Sequence, residues 1–202
     1  MITEKPHASS TEKNREPILE VLRDHFDDRR EVLEIGSGTG QHAIFFAAAM
    51  AQLIWQTSDR PDNLPGIAAW LAEAALPNTP PPLEFDVCEA WPKRRYDAIF
   101  SANTLHIMPW EAVERLFAGL SGVLAAGAKV AIYGPFNYGG RFTSDSNAAF
   151  DAGLRERAPH QGIRDFERVN ELAGKAGLSL IEDRAMPSNN RCLVWQARSI
   201  LV

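Results

Sequence analysis

Short apolar runs alternate along the chain with longer segments of helical spacing. The apolar runs that predict the first buried strands are EVLEI, LIWQTSD, LEFDV, YDAIFSAN and AKVAIYGPF. The segments of helical spacing between them are QHAIFFAAAM, NLPGIAAWLAEAAL and WEAVERLFAGLSGVL. Strands that are regularly separated by helices predict a parallel sheet covered by crossover helices.

Both ends of the chain extend this pattern. Residues 1 to about 10 are polar and predict a weakly ordered lead-in, and the segment after Asn14 predicts a helix with Ile18, Leu22 and Phe26 on one face. Near the C-terminus, LSLIEDRAMP and NRCLVWQARSI predict two strands joined by a Pro-Ser-Asn-Asn turn. We therefore predict a three-layer, Rossmann-like α/β fold, in which a doubly wound, mostly parallel seven-stranded sheet ends in an antiparallel C-terminal hairpin. Residues 1–202 are expected to form one domain.

Composition argues against several classes of protein. The 202 residues carry a formal net charge of -5, with 45% hydrophobic and 23% charged residues, as is typical of a soluble globular protein. The acidic balance disfavours nucleic acid and membrane surfaces as partners. Cys88 and Cys192 lie far apart, so that neither a disulfide framework nor a metal site is expected. Since the chain shows no secretory signal and no apolar segment of membrane length, the expected location is cytoplasmic.

A turn with three glycines is the strongest local signal. It follows the first strand and precedes an apolar helix, with glycines at Gly36, Gly38 and Gly40. Glycines let a ligand approach the backbone closely, and in an open α/β sheet such a turn lies at the ligand-binding edge. The G-x-G-x-G spacing differs from the G-x-G-x-x-G of dinucleotide sites, and Glu34 on the strand suits a cationic amino-acid group better than a diphosphate. The alternative is a structural turn without a ligand.

Two further acids end the next two predicted strands. Asp59 lies one β-α-β step after the glycines, where a carboxylate can accept from both hydroxyls of a ribose. Asp86 can accept from an adenine amino group, with Val87 bordering the ring. The alternative roles are a helix cap for Asp59 and an ordinary loop aspartate for Asp86.

The segment EVLEIGSGTGQHA resembles motif I of class I S-adenosylmethionine-dependent methyltransferases. A denser resemblance, to the domain-of-unknown-function 938 family, also called the methyltransferase-like protein 26 family, covers nearly the whole chain. It includes ASSTEKNREPIL, NTLHIMPW, GPFNYGGRFTSDSNAAFDAGLRERAP and NNRCLVWQA. The resemblance implies S-adenosyl-L-methionine as cofactor, with S-adenosyl-L-homocysteine as product and no metal, and it leaves the methyl acceptor open.

This resemblance also implies a set of cofactor-binding residues. They are Glu34, Gly36, Ser37, Gly38, Gly40, Asp59, Asp86, Val87 and Asn103, with Asn14 and Arg15 as added candidates. Arg15 is suited to pair with the cofactor carboxylate. Its alternative role is pairing at the surface, and that of Asn14 is helix capping.

The acceptor side is expected to be formed by loops after the fourth and fifth strands. His106 is the best-placed general base, and the alternative is a histidine that only packs locally. The glycine-rich loop 134–147 is predicted to form a mobile wall of the acceptor cleft. Arg141 in this loop is suited to bind a carboxylate or phosphate group of the acceptor. The substrate candidates on this side are Tyr133, Phe136, Asn137, Tyr138 and Arg141. The turn Asn189–Arg191 is a further candidate rim of the cleft, although a plain turn is the simpler interpretation.

These features favour a methyltransferase (EC 2.1.1.-) that acts on a small-molecule acceptor. The alternative is an S-adenosylmethionine-binding fold that serves as a binding or interaction module without methyl transfer. A nicotinamide-dependent oxidoreductase is disfavoured by the glycine spacing and the terminal hairpin, and a nucleic-acid methyltransferase by the acidic charge. The pattern does not predict an oligomeric state.

Overall fold

The structure is a computed structural model that describes residues 5–198. The strands are β1 (Glu31–Ile35), β2 (Ile54–Asp59), β3 (Leu83–Glu84), β4 (Tyr96–Ala102), β5 (Leu124–Gly134), β6 (Phe136–Asn137), β7 (Arg164–Asp165), β8 (Leu178–Met186) and β9 (Asn190–Ala197). The helices are α1 (Ser9–Phe26), α2 (Gln41–Ala49), α3 (Leu64–Ala74), α4 (Trp110–Val123), α5 (Asp145–Arg157) and α6 (Phe166–Lys175). Short 3₁₀ turns occupy Pro61–Asn63 and Pro187–Asn189.

The main sheet has seven strands in the order β3-β2-β1-β4-β5-β9-β8. All neighbouring pairs among the first five are parallel, whereas β9 is antiparallel to both β5 and β8. A register shift between Leu180 and Glu182 marks an irregularity in the outermost strand, β8. The predicted doubly wound sheet with an antiparallel C-terminal hairpin is therefore confirmed. The short strands β6 and β7 form a separate parallel pair.

Two apolar cores cover the two faces of this sheet. Helices α1, α2 and α3 pack on one face, where Phe46, Trp55 and Phe100 form an aromatic cluster with ring centroids 5.4–5.8 Å apart. Helices α4 and α6 pack on the other face, where the ring of Phe117 on α4 contacts that of Trp195 on β9 edge-on. Because successive side chains of a strand point to opposite faces, each central strand contributes to both cores.

The bounds of two predicted segments differ from the sequence expectation. The run predicted as a strand over residues 83–87 pairs only at Leu83–Glu84, and the chain then leaves the sheet as a loop that holds Asp86. The polar lead-in forms contacts from Lys5 onward, and α1 already begins at Ser9. Residues 1–4 of that lead-in lie outside the described part of the chain.

Candidate functional site

The glycine turn connects β1 to α2 at the carboxyl edge of the sheet. Gly36, Gly38 and Gly40 all adopt left-handed backbone conformations, with φ of +74°, +58° and +89°. The backbone N–H groups of Gly36 and Ser37 both donate to the Ser58 carbonyl at 3.0 Å, which ties the turn to β2. L side chains rarely adopt these conformations, so the turn needs glycine at these three positions.

Glu34 lies beneath this turn and does not face an open cavity. Its Oε2 atom accepts hydrogen bonds from Ser37 Oγ and Trp55 Nε1, both at 3.0 Å. The side chain is 1% exposed, and burial raises the pKa of its carboxyl to about 7. The sequence pattern assigned Glu34 to direct contact with a cationic ligand, whereas here its contacts hold the glycine turn against β2.

Asp59 joins the end of β2 to the glycine turn. Its Oδ2 accepts from the backbone N–H of Gly38 at 2.7 Å. Its Oδ1 accepts from Arg60 N at 2.8 Å and from Asn63 Nδ2 at 2.9 Å. An ionised carboxylate has about four acceptor positions, so these three bonds leave capacity for another donor.

Two further cofactor candidates follow the neighbouring strands. Asp86 is half-buried, and its Oδ1 accepts from Cys88 N at 2.9 Å, while Val87 is buried in the core beside α4. Asn103 follows β4 in a left-handed conformation with φ of +57°, and its N–H donates to the Tyr133 carbonyl. Since β3, β2, β1 and β4 are adjacent in the sheet, these residues lie along the same edge as the glycine turn.

Asn14 and Arg15 bring α1 to the start of α2. Asn14 is buried, and its Oδ1 lies 2.8 Å from His42 Nε2. Burial lowers the pKa of His42 to about 4, so its ring is neutral near pH 7 and donates to Asn14. The Arg15 guanidinium lies 4.7 Å from the centre of the Phe45 ring, and its buried Nε has no partner within residues 5–198.

His106 lies in the loop after β4, close to the end of β5. It is 6% exposed, its ring contacts Phe150 of α5 edge-on at 5.4 Å, and its Nδ1 lies 3.8 Å from the position of a Cβ on Gly134. Burial lowers the pKa of His106 to about 4, with Arg164 and Arg157 adding to the effect. The neutral imidazole near pH 7 can accept a hydrogen bond or a proton, but as a weak base.

Three of the acceptor candidates have roles that the sequence pattern did not predict. Phe136 is 1% exposed and packs in the core with α4 and α6. The ring of Tyr133 is also in a core, and burial raises the pKa of its hydroxyl to about 12, an effect that the Asn14 and Asn190 side chains partly offset. Tyr138 donates to Asp183 Oδ2 at 2.8 Å. Phe136 and the Tyr133 ring are therefore corrected from substrate contacts to core residues.

The other two candidates differ in exposure. Arg141 is exposed and closes a tight turn with Tyr138 through two backbone hydrogen bonds. Asn137 is 8% exposed, and its buried Oδ1 has no hydrogen-bond partner within the described residues. A buried polar atom without a partner costs about 1–3 kcal/mol, so Asn137 is suited to meet a donor that is not part of this chain.

The N-terminal segment 5–8 forms a wall that sequence reasoning missed. Ala8 N donates to Gln41 Oε1 at 2.7 Å, and Trp70 Nε1 donates to the Pro6 carbonyl at 2.8 Å. A cavity of about 390 Å³ lies between this segment, the glycine turn and the start of α3. Its lining is Pro6, Gly38, Thr39, Asp62, Asn63, Pro65, Gly66 and Ala69. A proline in a polar lead-in carries no pattern that would have indicated these contacts.

Neither a metal-binding cluster nor a membrane-spanning helix occurs within residues 5–198. In the part of the chain that the structure describes, no group of three or more His, Cys, Asp or Glu side chains is placed to hold a metal ion. Over the same residues, no helix combines the length and the apolar character needed to cross a membrane. Cys88 is exposed and Cys192 is buried, and both are free thiols.

Solved structures share this architecture. An O-methyltransferase family protein from Burkholderia thailandensis superposes with a TM-score of 0.81 at 17% identity, covering 92% of this chain and 56% of its own. The apo form of SibL, an S-adenosylmethionine-dependent methyltransferase, superposes with a TM-score of 0.80 at 21% identity, and the match covers 94% of this chain and 56% of SibL. The mitomycin 7-O-methyltransferase MmcR superposes with a TM-score of 0.82 at 16% identity, and the match covers 94% of this chain and 54% of MmcR. The chain therefore spans just over half the length of these proteins.

The strand order, the reversed β9 and these superpositions define a class I methyltransferase fold. Within it, residues 5–197 match the family described as "Protein of unknown function (DUF938)". The chain belongs to this family.

Proposed function

We propose that this chain is an S-adenosylmethionine-dependent methyltransferase that acts on a small-molecule acceptor. The observation that carries the proposal is the glycine turn, whose Gly38 has no atom within 4 Å of the place where a side chain would stand. The same residue donates its N–H to Asp59, which brings a carboxylate beside open backbone. The methyltransferase names of the matched structures support methyl transfer in general.

The residues present fit such a cofactor. Asp59 has the capacity to accept a ribose hydroxyl, and the buried, unpartnered Nε of Arg15 suits the cofactor carboxylate. Glu34 acts by holding the turn in place. Around them we assign Gly36, Ser37, Gly40, Asp86, Val87, Asn103 and Asn14 to the same site.

When bound, the cofactor supplies an electrophilic methyl group on a sulfonium, whose sulfur becomes neutral on transfer. The chain's part is to hold the acceptor atom in line with that methyl group, and such positioning can contribute about 7–11 kcal/mol. We assign His106 to accept the acceptor's proton or hydrogen bond through its neutral ring. The unpartnered Oδ1 of Asn137 would accept a hydrogen bond from an N–H or O–H group of the acceptor.

Further properties follow as parts of the proposal. Residues 1–202 form a single domain that works in the cytoplasm without nucleic acid or membrane partners. The chain is a counterpart of methyltransferase-like protein 26. No metal takes part, because positioning alone suffices for transfer from a sulfonium.

Calorimetry with S-adenosyl-L-homocysteine tests cofactor binding. We expect saturable heat and a thermal shift, with about 2.7 kcal/mol of stabilisation at a ligand concentration 100 times Kd. The variant Asp59→Asn, which removes the charge and replaces one acceptor oxygen by an NH2 group, should weaken binding about tenfold. Glu20→Gln, an exposed change on α1, is the matched control. No heat and no thermal shift at millimolar ligand would refute the proposal.

A binding module without methyl transfer is the second candidate function. It is favoured by the lowered pKa of His106, about 4, which makes the ring a weak base. Incubation with methyl-labelled S-adenosylmethionine and a panel of small acceptors separates the two functions. Formation of S-adenosylhomocysteine that requires an acceptor supports the enzyme, and cofactor binding without turnover across the panel supports the module.

A further inference from the structure

A second cavity, of about 410 Å³, lies at the carboxyl edge near the start of β9. Its lining comes from the segment after β6 and from the β8–β9 turn, namely Tyr138, Thr143, Ala185, Met186, Asn189, Asn190 and Arg191. The volume falls within the range of about 300–1,000 Å³ that is typical of small-molecule sites. The cavity is not part of the glycine-turn site described above.

The Arg191 guanidinium is oriented by a carboxylate behind it. Its Nε donates to Asp183 Oδ1 at 2.7 Å, and its Nη2 donates to the Asp183 carbonyl at 2.9 Å. The other oxygen of Asp183 accepts from the Tyr138 hydroxyl, so both carboxylate oxygens are already bonded. Nη1 donates to no acceptor within residues 5–198, which leaves it for a ligand in the cavity.

Thr143 adds a second donor to the same cavity. Its Oγ1 accepts from Asn147 Nδ2 at 2.9 Å, so the hydroxyl hydrogen remains free to donate. The cavity thus presents one cationic and one neutral donor, beside the apolar Met186. A single guanidinium whose charge Asp183 partly offsets suits a monoanion better than a dianion.

The β8–β9 turn that forms the other wall is held in a strained conformation. Ser188 and Asn189 are consecutive non-glycine residues with φ of +59° and +58°. Helix α5 fixes the turn, because Asn147 Nδ2 donates to the Asn189 carbonyl and Asn189 Nδ2 donates to Ser146 Oγ. Strain of about 1–3 kcal/mol per residue persists where surrounding contacts enforce it, and such turns concentrate at ligand sites.

This cavity adjoins the proposed methyl acceptor site. Arg191 pairs with Gly134 across β9 and β5, and paired residues of neighbouring strands project to the same face. The His106 ring lies 3.8 Å from the Cβ position of Gly134 on that face. Arg191 and His106 therefore lie on the same side of the sheet beside Gly134, so that a molecule bound at Arg191 can reach toward His106.

We propose that this cavity is the acceptor subsite and that it binds a carboxylate of the acceptor through Arg191 Nη1 and the Thr143 hydroxyl. The proposal rests on the proposed methyltransferase function. It narrows the substrate class to small carboxylic acids. In such a substrate, the carboxylate binds at Arg191 and the group that receives the methyl lies on the side of His106. Arg191, which the sequence pattern gave only as a candidate rim, becomes the specificity-determining residue.

The test uses 4-hydroxybenzoate as the probe and 4-hydroxybenzamide as its neutral counterpart. Binding to the full chain is followed by NMR shifts of backbone amides in residues 138–143 and 185–191, with and without S-adenosylhomocysteine. We expect the carboxylate to bind about tenfold more tightly than the amide, because only the carboxylate carries a charge opposite to that of the guanidinium. In Arg191→Gln this preference should disappear, and Arg191→Lys should retain part of it.

Two further variants keep the test valid if loss of the Arg191–Asp183 pair impairs folding. Ala185 is exposed at the cavity and lies directly across from Arg191 in the β8–β9 pair, and its methyl group takes no part in the Arg191–Asp183 pair. Ala185→Glu should therefore weaken carboxylate binding, by repelling the ligand and by competing for Arg191, whereas Ala185→Gln should not. Arg23→Gln, an exposed change on α1 with the same loss of charge as Arg191→Gln, is the control.

The proposal is overturned if the amide binds as tightly as the carboxylate, if Arg191→Gln keeps the preference, or if the shifts map elsewhere. Tighter binding of 4-hydroxyphenyl phosphate than of 4-hydroxybenzoate would also overturn the carboxylate assignment. Calorimetry of S-adenosylhomocysteine on the same samples tests the proposed function separately. Failure of cofactor binding would refute that function, while the carboxylate preference of the cavity would still be measured.

Discussion

Two glycines in the same turn are required for different physical reasons. A Cβ on Gly36 would lie 2.8 Å from Thr104 Cγ2 and 2.9 Å from Thr104 Oγ1, whose hydroxyl is bonded to the Ala102 carbonyl. A Cβ on Gly38 would meet no atom within 4 Å. Gly36 is thus needed for packing inside the chain, and Gly38 leaves room for a ligand.

Alanine at these two positions should separate stability from binding. Gly36→Ala combines the left-handed backbone cost of about 1–2 kcal/mol with a clash, so it should destabilise by more than about 2 kcal/mol. Gly38→Ala should cost only about 1–2 kcal/mol from the backbone, but it should weaken S-adenosylhomocysteine binding at least tenfold. Urea unfolding and calorimetry measure the two effects. Equal loss of stability in both variants, or full affinity in Gly38→Ala, would contradict this assignment.

The raised pKa of Glu34 predicts a specific dependence of stability on pH. The carboxyl has an ordinary pKa of 4.5 when unfolded and about 7 in the fold, so the folded state holds the proton between these values. The stability that this group contributes is fully present below pH 4.5 and is lost as the pH rises through 7. Above that range the buried carboxylate is charged, and the fold bears the cost of its desolvation.

Glu34→Gln removes this titration and should flatten the pH profile. Between about pH 4.5 and about pH 8, the unfolding free energy of the variant relative to the natural chain should rise by on the order of 3 kcal/mol. Urea unfolding at several pH values measures the difference, with Glu20→Gln as control. Because each variant is compared with the natural chain, the opposing titrations of His42 and His106 cancel. Parallel profiles for Glu34→Gln and the natural chain would show that Glu34 does not titrate in this range.

At the scale of elements, hydrophobic periodicity predicted the strands and helices whose side chains build the two cores. It was wrong about the length of β3, because Phe85 and Val87 are buried outside the sheet and look like strand residues in sequence. It also missed the contacts of residues 5–8, which are made by backbone groups, a proline ring and the Lys5 ammonium. Such contacts do not depend on the spacing of apolar residues along the chain, so hydrophobic periodicity cannot predict them.

The candidate site was predictable only in part for a similar reason. The glycines and Asp59 are identified by position after a strand, and the structure brings them together. The loop after β5 contains the short strand β6, in which side chains alternate between faces. Phe136 and Tyr138 therefore face the α4–α6 side, and Asn137 faces away from it. Sequence alone gave no sign of this strand, so all three residues looked equally available.

Deletion of residues 1–8 tests the wall that precedes α1. We expect the fold to persist, because the cores begin at α1, and we expect S-adenosylhomocysteine to bind about three- to tenfold more weakly after one side of the 390 Å³ cavity is lost. Calorimetry measures the affinity and thermal unfolding checks the fold. Trp70→Phe, which removes the hydrogen bond to Pro6 and weakens the contact with the Lys5 ammonium, should give a smaller change in the same direction. Unchanged affinity after the deletion would show that the segment has no part in the site.

At the scale of the whole molecule, a group of polar side chains lies between the glycine-turn side and the β8–β9 turn. His42 on α2 bonds to Asn14 on α1, and the polar side chains of Asn14 and Asn190 influence the Tyr133 hydroxyl of β5, whose pKa they lower against the effect of burial. These residues come from four elements that surround the carboxyl edge. The proposed cofactor site and the proposed acceptor subsite therefore border the same group of polar side chains.

Tyr133→Phe should break this connection while keeping the core packing. The loss of one buried hydroxyl should cost about 1 kcal/mol. In the natural chain, we expect S-adenosylhomocysteine to slow hydrogen exchange at the glycine turn and also at residues 187–191. In Tyr133→Phe the second effect should diminish and the first should remain. Protection of residues 187–191 that is the same in both proteins would rule out transmission through Tyr133.

The register shift in β8 has a consequence for how copies of the chain meet in solution. An open sheet edge exposes unpaired N–H and C=O groups that invite strand addition from another molecule. One edge of this sheet is β3, with only two residues, and the other is β8, where the irregularity at Ile181 precedes the charged run Glu182, Asp183 and Arg184. Short edges, bulges and charges are the known protections against such aggregation. We therefore expect that, at high protein concentration, copies of the chain do not join edge to edge into an extended sheet.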